Sequence, residues 1–576
     1  MSTQKHTFLL LLLCFLATNS LLAQKGSYHT NDSLVETYDT VFETQHFVFH
    51  FIKTADLNVE ALVQKMEGNI DKIESFTESP LSGKKLILFI YPDIEQKGLK
   101  YKNTMPAEVD FVKKYAFLVV NDVFKGEQSY VVNQLILSQL LPKPKLEMLE
   151  AGLSVYFTES WQRKGYFYWA GRLFVSRNMP SVSELLDNDL FEKESPLVME
   201  CTAALYVEFL IQHFGKKVFL EKYSHWTAED LQKTKGSWQS FLMEKYANFS
   251  ESKKEWTVPQ LKGFNFAHEG FNISDGYGSR LAKESLVKMT SLGANAVALV
   301  PYTFMDAPKK AQFLTFRSHA GAETDESIIV TNFEAKKLGA FTILKPQIHI
   351  EDSWPGAIDM SSEEEWALFF DYYYRWIRHY ALLAEMNEID MLSVGVELSI
   401  ASRNHPEEWR KLIKKLRGIY SGPMTYSANW WREYANISFW DALDFMGLDC
   451  YYPLGHYPKV KKKELQSVFK KTLKKVNKTR KRFGLPLLIT EIGFRSVEAT
   501  WMKPFDAPLG RKFDDEAQQL CYEVIFEGLA EVDWCQGILW WKWPSYLTYK
   551  GENNSSFSPV GKVTEQVIRK YFNAGK

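Results

Sequence analysis

From Lys262 to the C-terminus, short apolar runs of β type alternate with helical stretches, and this alternation is the strongest pattern in the chain. The runs are Lys262 to Ala267, Ala294 to Pro301, Phe341 to Ile348, Met391 to Leu398, Gly422 to Asn429, Asp444 to Tyr451, Leu485 to Gly493 and Cys535 to Trp543. Near-continuous apolar strands separated by helices predict a parallel sheet covered by helices on its outer face, and eight repeats fit a closed (β/α)8 barrel better than an open sheet. The helices carry their own punctuation. Leu281, Ser285, Leu286, Met289 and Leu292 form one face closed by Gly293, Ser361 with Glu364 reads as a capping box, and Pro406 suits a first helical turn.

The stretch before the barrel has a different rhythm. His46 to Phe51 alternates as a half-buried strand does, Leu86 to Tyr91 reads as a buried strand, and apolar spacing in Val131 to Leu141, Leu149 to Phe157 and Ala203 to Phe214 predicts three helices. The fold class is therefore α/β, a (β/α)8 TIM barrel over residues 261–576 preceded by a smaller α+β domain over residues 24–250. Residues 251–260, polar and containing Pro259, form the predicted linker. At the N-terminus, Lys5, the apolar run Phe8 to Ala17 and the small Ala23 make residues 1–23 a signal peptide, so the mature chain is expected to be exported, periplasmic or secreted. No later segment is expected to be long and apolar enough to span a bilayer.

Composition narrows the function classes. With 69 Lys and Arg against 70 Asp and Glu, the chain is too neutral for bulk binding of a polyanion, so nucleic acid is not an expected partner. The basic run from Lys459 to Arg482 reads as the wet face of a barrel helix, because Leu465, Val468, Phe469, Leu473 and Val476 recur at helical spacing. Five scattered cysteines without a CxxC pair fit neither a disulfide scaffold nor a zinc site. Aromatic residues are the outlier at 15 %, and thirteen of the seventeen tryptophans lie at or beyond Trp256, which points to a special use of aromatics in the barrel.

A barrel of this kind carries its reactive groups at the C-terminal ends of its strands. Two predicted strands end in a carboxylate there: Met391 to Val396 runs into Glu397, and Leu487 to Thr490 runs into Glu491. A facing carboxylate pair is the equipment of glycoside cleavage, one group protonating the leaving oxygen while the other attacks carbon or activates water. Aromatics crowd other strand ends in Asn429-Trp430-Trp431, Tyr451-Tyr452-Pro453 and Trp540-Trp541-Lys542-Trp543, where flat rings suit the C–H faces of sugars. About half of these aromatics are expected to be barrel core, since alternate strand residues face opposite ways.

The segments Leu292-Gly293-Ala294-Asn295-Ala296-Val297, Leu344-Lys345-Pro346, Ser393-Val394-Gly395-Val396-Glu397-Leu398, Thr425-Tyr426-Ser427-Ala428-Asn429-Trp430, Gly447-Leu448-Asp449-Cys450-Tyr451-Tyr452-Pro453-Leu454 and Thr490-Glu491-Ile492-Gly493-Phe494 resemble glycoside hydrolase family 113. The resemblance covers residues 262–571 and implies a retaining β-mannanase-like enzyme of the clan with glutamates on strands four and seven. It implies Glu397 as acid/base, Glu491 as nucleophile, Tyr451 beside the nucleophile and Trp541 as the floor of the sugar subsite. The expected substrate-binding set is Lys345, His349, Trp354, Asn429, Trp430, Asp449, Tyr451 and Trp541, the partner a β-linked polysaccharide or oligosaccharide, with no metal or organic cofactor. Two departures stand out. After strand three the family pattern has His and Asp behind the Lys-Pro and an Arg behind the Trp, where this chain has Gln347, His349 and Pro355. Val396 replaces the Asn that many clan members place before the acid/base, leaving Asn429 or Lys345 to hold the sugar 2-hydroxyl. The alternative reading is a non-catalytic carbohydrate-binding or scaffold protein on a decayed barrel.

In the first domain, the strand at His46 to Phe51, the helix around Tyr130 to Leu141 and Met148-Leu149-Glu150-Ala151-Gly152-Leu153 resemble the scaffold of gluzincin peptidases. Those enzymes bind zinc through two His one helical turn apart and a downstream Glu. Here the helix reads Val132-Asn133-Gln134-Leu135-Ile136-Leu137, and Ala151 stands at the Glu position, so a metal-free scaffold or partner surface is expected.

Overall fold

The computed structural model describes residues 40–574, apart from 52–58, 84, 126–128, 159, 251–254, 268, 270–271, 507–509 and 550–552; the expected signal segment lies outside the described residues. The first domain holds a five-stranded sheet in the order Thr40–Glu43, Phe47–Phe51, Leu86–Tyr91, Tyr115–Val119, Ala107–Asp110, parallel in the middle and antiparallel at both edges. Phe47, Phe49 and Phe51 point to the buried side, the period of two that the sequence shows. The expected helices form at Tyr130–Leu140, Glu147–Tyr156 and Pro196–Phe214, joined by Gly165–Val175. Pro196–Phe214 corrects one expectation, because by length and composition it could cross a membrane. It is largely apolar because it is a core helix, packed against Glu147–Tyr156 and Gly165–Val175 of its own domain and against a barrel helix, Glu363–Met386.

All eight apolar runs become barrel strands: Leu261–Ala267, Ala296–Leu299, Phe341–Leu344, Met391–Val396, Met424–Asn429, Phe445–Asp449, Leu487–Ile492 and Cys535–Pro544. They pair in parallel and in sequence order, and the eighth closes on the first. Leu261, Ile343, Met391, Phe445, Leu488 and Leu539 belong to a buried cluster separate from the main core, drawn from barrel strands and filling the lumen as a packed layer. The third strand is shorter than its apolar run. Pro346 lacks the N–H that would continue the ladder, so the chain breaks at Lys345 and resumes as Gln347–Ile350, which pairs with Tyr302–Met305 in a small parallel sheet of its own.

Local signals placed the helix ends to within a residue. Gly293, at φ +97°, terminates the helix Arg280–Ser291, and Pro406 opens Pro406–Arg417. The capping group of Glu363–Met386 is Ser362 rather than Ser361; its hydroxyl accepts the Glu365 N–H, and the Glu365 carboxylate is engaged by the Ala311 N–H instead of closing a box. The basic run is the helix Lys462–Phe483, with Leu465, Phe469, Leu473 and Val476 buried and Lys462 paired to Glu523 and Glu527. Trp376, Trp409, Trp440, Trp540 and Trp543 are fully buried, so much of the barrel's aromatic excess is core.

The first domain is docked on the barrel. The Glu194 carboxylate, 1 % exposed, receives Arg375 at 2.9 Å and Arg378 at 2.9 Å from Glu363–Met386, and Arg172 reaches Glu385 at 2.7 Å. Burial alone would push Glu194 up, but Arg378, the Ser195 N–H and Arg375 outweigh it and hold the carboxyl below its usual range. Glu194→Ala leaves two guanidinium groups without their shared acceptor, and a loss of about 3 kcal/mol is expected, measured as a lower urea midpoint.

Candidate active site

The two strand-end glutamates stand in contrasting surroundings. Glu397 follows the fourth strand with φ +53°, a left-handed conformation that costs a non-glycine residue about 1 kcal/mol. Its N–H reaches the Ser427 carbonyl at 2.8 Å, its carbonyl accepts Ser399 N–H at 2.9 Å, and the next peptide N–H, of Leu398, is held by the Tyr426 hydroxyl at 2.8 Å. The side chain takes two neutral donors, Trp354 Nε1 on Oε2 and Asn429 Nδ2 on Oε1, both at 2.9 Å. Burial and then the charge of Glu491 push its pKa up to about 7, against the smaller pull of the Trp354 and Asn429 bonds.

Glu491, in the seventh strand, accepts three donors: Lys345 Nζ and Gln347 Nε2 (3.1 Å) on Oε1, and the Tyr451 hydroxyl (2.9 Å) on Oε2. Lys345 is fully buried and also reaches the Thr490 carbonyl at 3.4 Å and Asn265 Oδ1 at 3.5 Å. Asp449 lies 3.6 Å from the same ammonium and accepts the Thr490 hydroxyl at 2.7 Å. Burial and then the Glu491 charge push the Asp449 carboxyl up, against the pull of Lys345 and the Thr490 hydroxyl, and of the two carboxylates it is Glu491 that directly contacts the Lys345 ammonium. Tyr451 is likewise pushed up by burial and by Glu491 and remains a phenol donor.

These placements alter the expected substrate-binding set. Trp354 and Asn429 meet at Glu397, while Lys345 and Tyr451 meet at Glu491. Lys345 and Asp449 have no exposed surface, so their place is behind the glutamate rather than against a sugar. His349 is set apart: the separate strand Gln347–Ile350 leaves it exposed, its ring 5.3 Å from Phe304. Trp430 is half-buried and meets Trp431, Tyr452 and Phe505, and Trp541 is half-buried beside Lys542, which pairs with Glu269. Sequence reasoning missed Asn265, inside the first strand, and Glu433, in a loop, because neither ends a strand; Gln347 showed only as a departure from a pattern. Among the described residues no cluster of three or more His, Cys, Asp or Glu could hold a metal ion.

Residues 266–562, half of the chain, match the sequence model of Glycoside Hydrolase Family 113. The chain belongs to glycoside hydrolase family 113. As a member of a glycoside hydrolase family it has a carbohydrate as its implied substrate. Among solved structures, a GH113 β-1,4-mannanase is 27 % identical over 55 % of this chain and 100 % of its own, with a TM-score of 0.49. The GH113 β-mannanase from Alicyclobacillus acidocaldarius in complex with ManMIm is 24 % identical over 55 % of this chain and 98 % of its own, with a TM-score of 0.50, and shares the fold. No curated protein matches the chain.

One contact in this family 113 site is set by glycine. A Cβ on Gly356 would lie 2.2 Å from the indole ring of Trp354. Gly356→Ala is therefore expected to push the indole off Glu397 and, if Glu397 acts in catalysis as the resemblance implies, lower kcat/KM about 10- to 100-fold, with little loss of melting temperature because Trp354 is 38 % exposed.

Proposed function

We propose that the protein is a retaining β-glycosidase acting on β-1,4-mannan or closely related β-linked glycans. The observation that carries this reading is the opposed surroundings of the two glutamates. Glu491 is met by a cation and two further donors, as suits an attacking carboxylate, whereas Glu397 has only neutral donors and a pKa of about 7, as suits a proton donor. In the first step Glu491 attacks the anomeric carbon and the glycosidic bond breaks as Glu397 passes its proton to the departing oxygen. Glu397, now a carboxylate, takes a proton from water, which displaces Glu491 from the sugar and restores both groups. Lys345 and Tyr451 hold the Glu491 oxygens, and Asn429 and Trp354 hold those of Glu397.

The test is to incubate the purified mature chain with mannan, glucomannan, xylan and glucan while following product anomers by NMR. Release of β-anomer first from mannan supports the reading; inversion, or turnover of another polymer alone, overturns the mechanism or the sugar. Binding without turnover favours the non-catalytic alternative. We also propose export through residues 1–23, tested by N-terminal sequencing of the mature protein, and a metal-free role for the first domain. Asn133, in the helix Tyr130–Leu140, is buried and bonded to Asn69, the Ser154 carbonyl and Thr158, which occupy its polar groups without a metal. Zinc near one equivalent in the purified protein would sink that role.

A further inference from the structure

We infer that Glu433, a loop residue in no strand, is a positioning residue that fixes the proton donor Glu397 from behind; the inference rests on the two-glutamate reading above. Glu433 has no exposed surface. Its Oε1 accepts the hydroxyls of Ser402 and Tyr426, both at 2.7 Å, and its Oε2 accepts the Asn429 N–H at 2.6 Å. Each donor leads to Glu397. Asn429 turns its carboxamide onto Glu397 Oε1, and Tyr426 uses its oxygen to receive the N–H of Leu398, the peptide that follows the left-handed Glu397. Ser402 lies in the short helix Ser399–Asn404 that begins two residues after Glu397. One carboxylate thus ties together the side chain, the following peptide and the following helix of the acid/base.

A buried carboxylate of this kind is costly unless its acceptor capacity is used, and here three donors use it. Burial pushes Glu433 up to about 7, with the Ser402, Tyr426 and Asn429 bonds and the nearby Arg403 opposing. A core position serving stability alone would be as well filled by an apolar side chain. The carboxylate supplies something an apolar group cannot, namely acceptors for the hydroxyl and N–H that orient the partners of Glu397. An amide of the same shape has a single acceptor oxygen. In Glu433→Gln either the Asn429 N–H or the Ser402 and Tyr426 hydroxyls lose their acceptor, and the clamp on Glu397 opens at that corner.

The experiment has a kinetic and a spectroscopic arm, applied to the full chain. With phenyl β-mannobioside, whose poor leaving group needs a proton, Glu433→Gln is expected to lower kcat about tenfold or more with little change in KM. With the 2,4-dinitrophenyl analogue, which departs unaided, kcat/KM, which reports the first step alone, should fall no more than about threefold, and the two substrates are compared on kcat/KM because kcat on this one reports the second step, where Glu397 is the base. Tyr426→Phe removes one arm of the clamp and keeps the ring packed on Trp409 and Phe439, so it should show the same split, smaller. In 15N-Asn and 15N-Trp labelled protein, the Asn429 carboxamide and Trp354 indole signals should both respond to pH near 7, and both responses should vanish in Glu397→Gln, which assigns them to Glu397 although Glu433 is also pushed up to about 7. In Glu433→Gln the carboxamide should lose that response while the indole keeps it. Equal losses on both substrates, no loss on either, or both signals losing the response would overturn the proposal. If the unmutated protein cleaves neither substrate, the β-mannosidic reading falls and the NMR arm alone decides the role of Glu433.

Discussion

Glu491→Ala is expected to lower hydrolysis of β-linked glycans by about 10⁴-fold or more, because it removes the group proposed to form the covalent intermediate and nothing nearby can replace it. Gln347, Tyr451 and Lys345 all act as donors to Glu491, and Asp449 is buried behind the site. The fold should survive the change. The Glu491 charge is one of the influences that push the Asp449 carboxyl up, so removing it eases ionisation of Asp449, which lies 3.6 Å from Lys345 and can serve as its counterion. Azide should restore turnover of an activated aryl glycoside and give a glycosyl azide of inverted configuration. A variant with more than a few per cent of the original kcat/KM, at unchanged circular dichroism, would show that another group is the nucleophile.

Glu397→Gln is expected to cut turnover of unactivated substrates by about 10²- to 10⁴-fold, the usual scale of general acid and base catalysis. The loss should shrink as the leaving group becomes a better anion, since the first step then needs no proton, while the second step still lacks its base. The pH profile carries the sharper signature. On the proposed mechanism the protonated form of Glu397 is the active one; burial and the Glu491 charge raise its pKa to about 7, so that form is lost as pH rises through that value. In the unmutated protein kcat/KM should therefore fall about tenfold per pH unit on the alkaline side, and that limb should be missing in Glu397→Gln. A limb that persists in the variant would assign the titration to another group. Values of kcat/KM across a series of aryl glycosides, at pH 5 to 9, measure both effects.

The two glutamates were readable because each interrupts an apolar run at the point where it ends, and the closed barrel places such points on one rim. Asn429 and Trp354 were legible as polar and aromatic residues beside strand ends. Their shared hold on Glu397 was not, because they are 75 residues apart and meet only when the barrel brings the third and fifth strand ends round to the fourth. Lys345 and Asp449 show the opposite error. Their chemistry suits sugar hydroxyls, and only burial reveals that one neutralises Glu491 and the other stands behind it.

Local periodicity and punctuation thus determined the strands, their parallel order and the carboxylates at their mouths, since alternation, glycine and proline act within a few residues. The tertiary structure alone decided which way each charge is turned and what balances it. It closed Lys345 onto Glu491, set the Trp354 indole over Gly356 and placed Glu433 under Asn429. Those contacts join residues far apart in the chain, and their strength depends on exclusion of water, which no pattern along the sequence encodes.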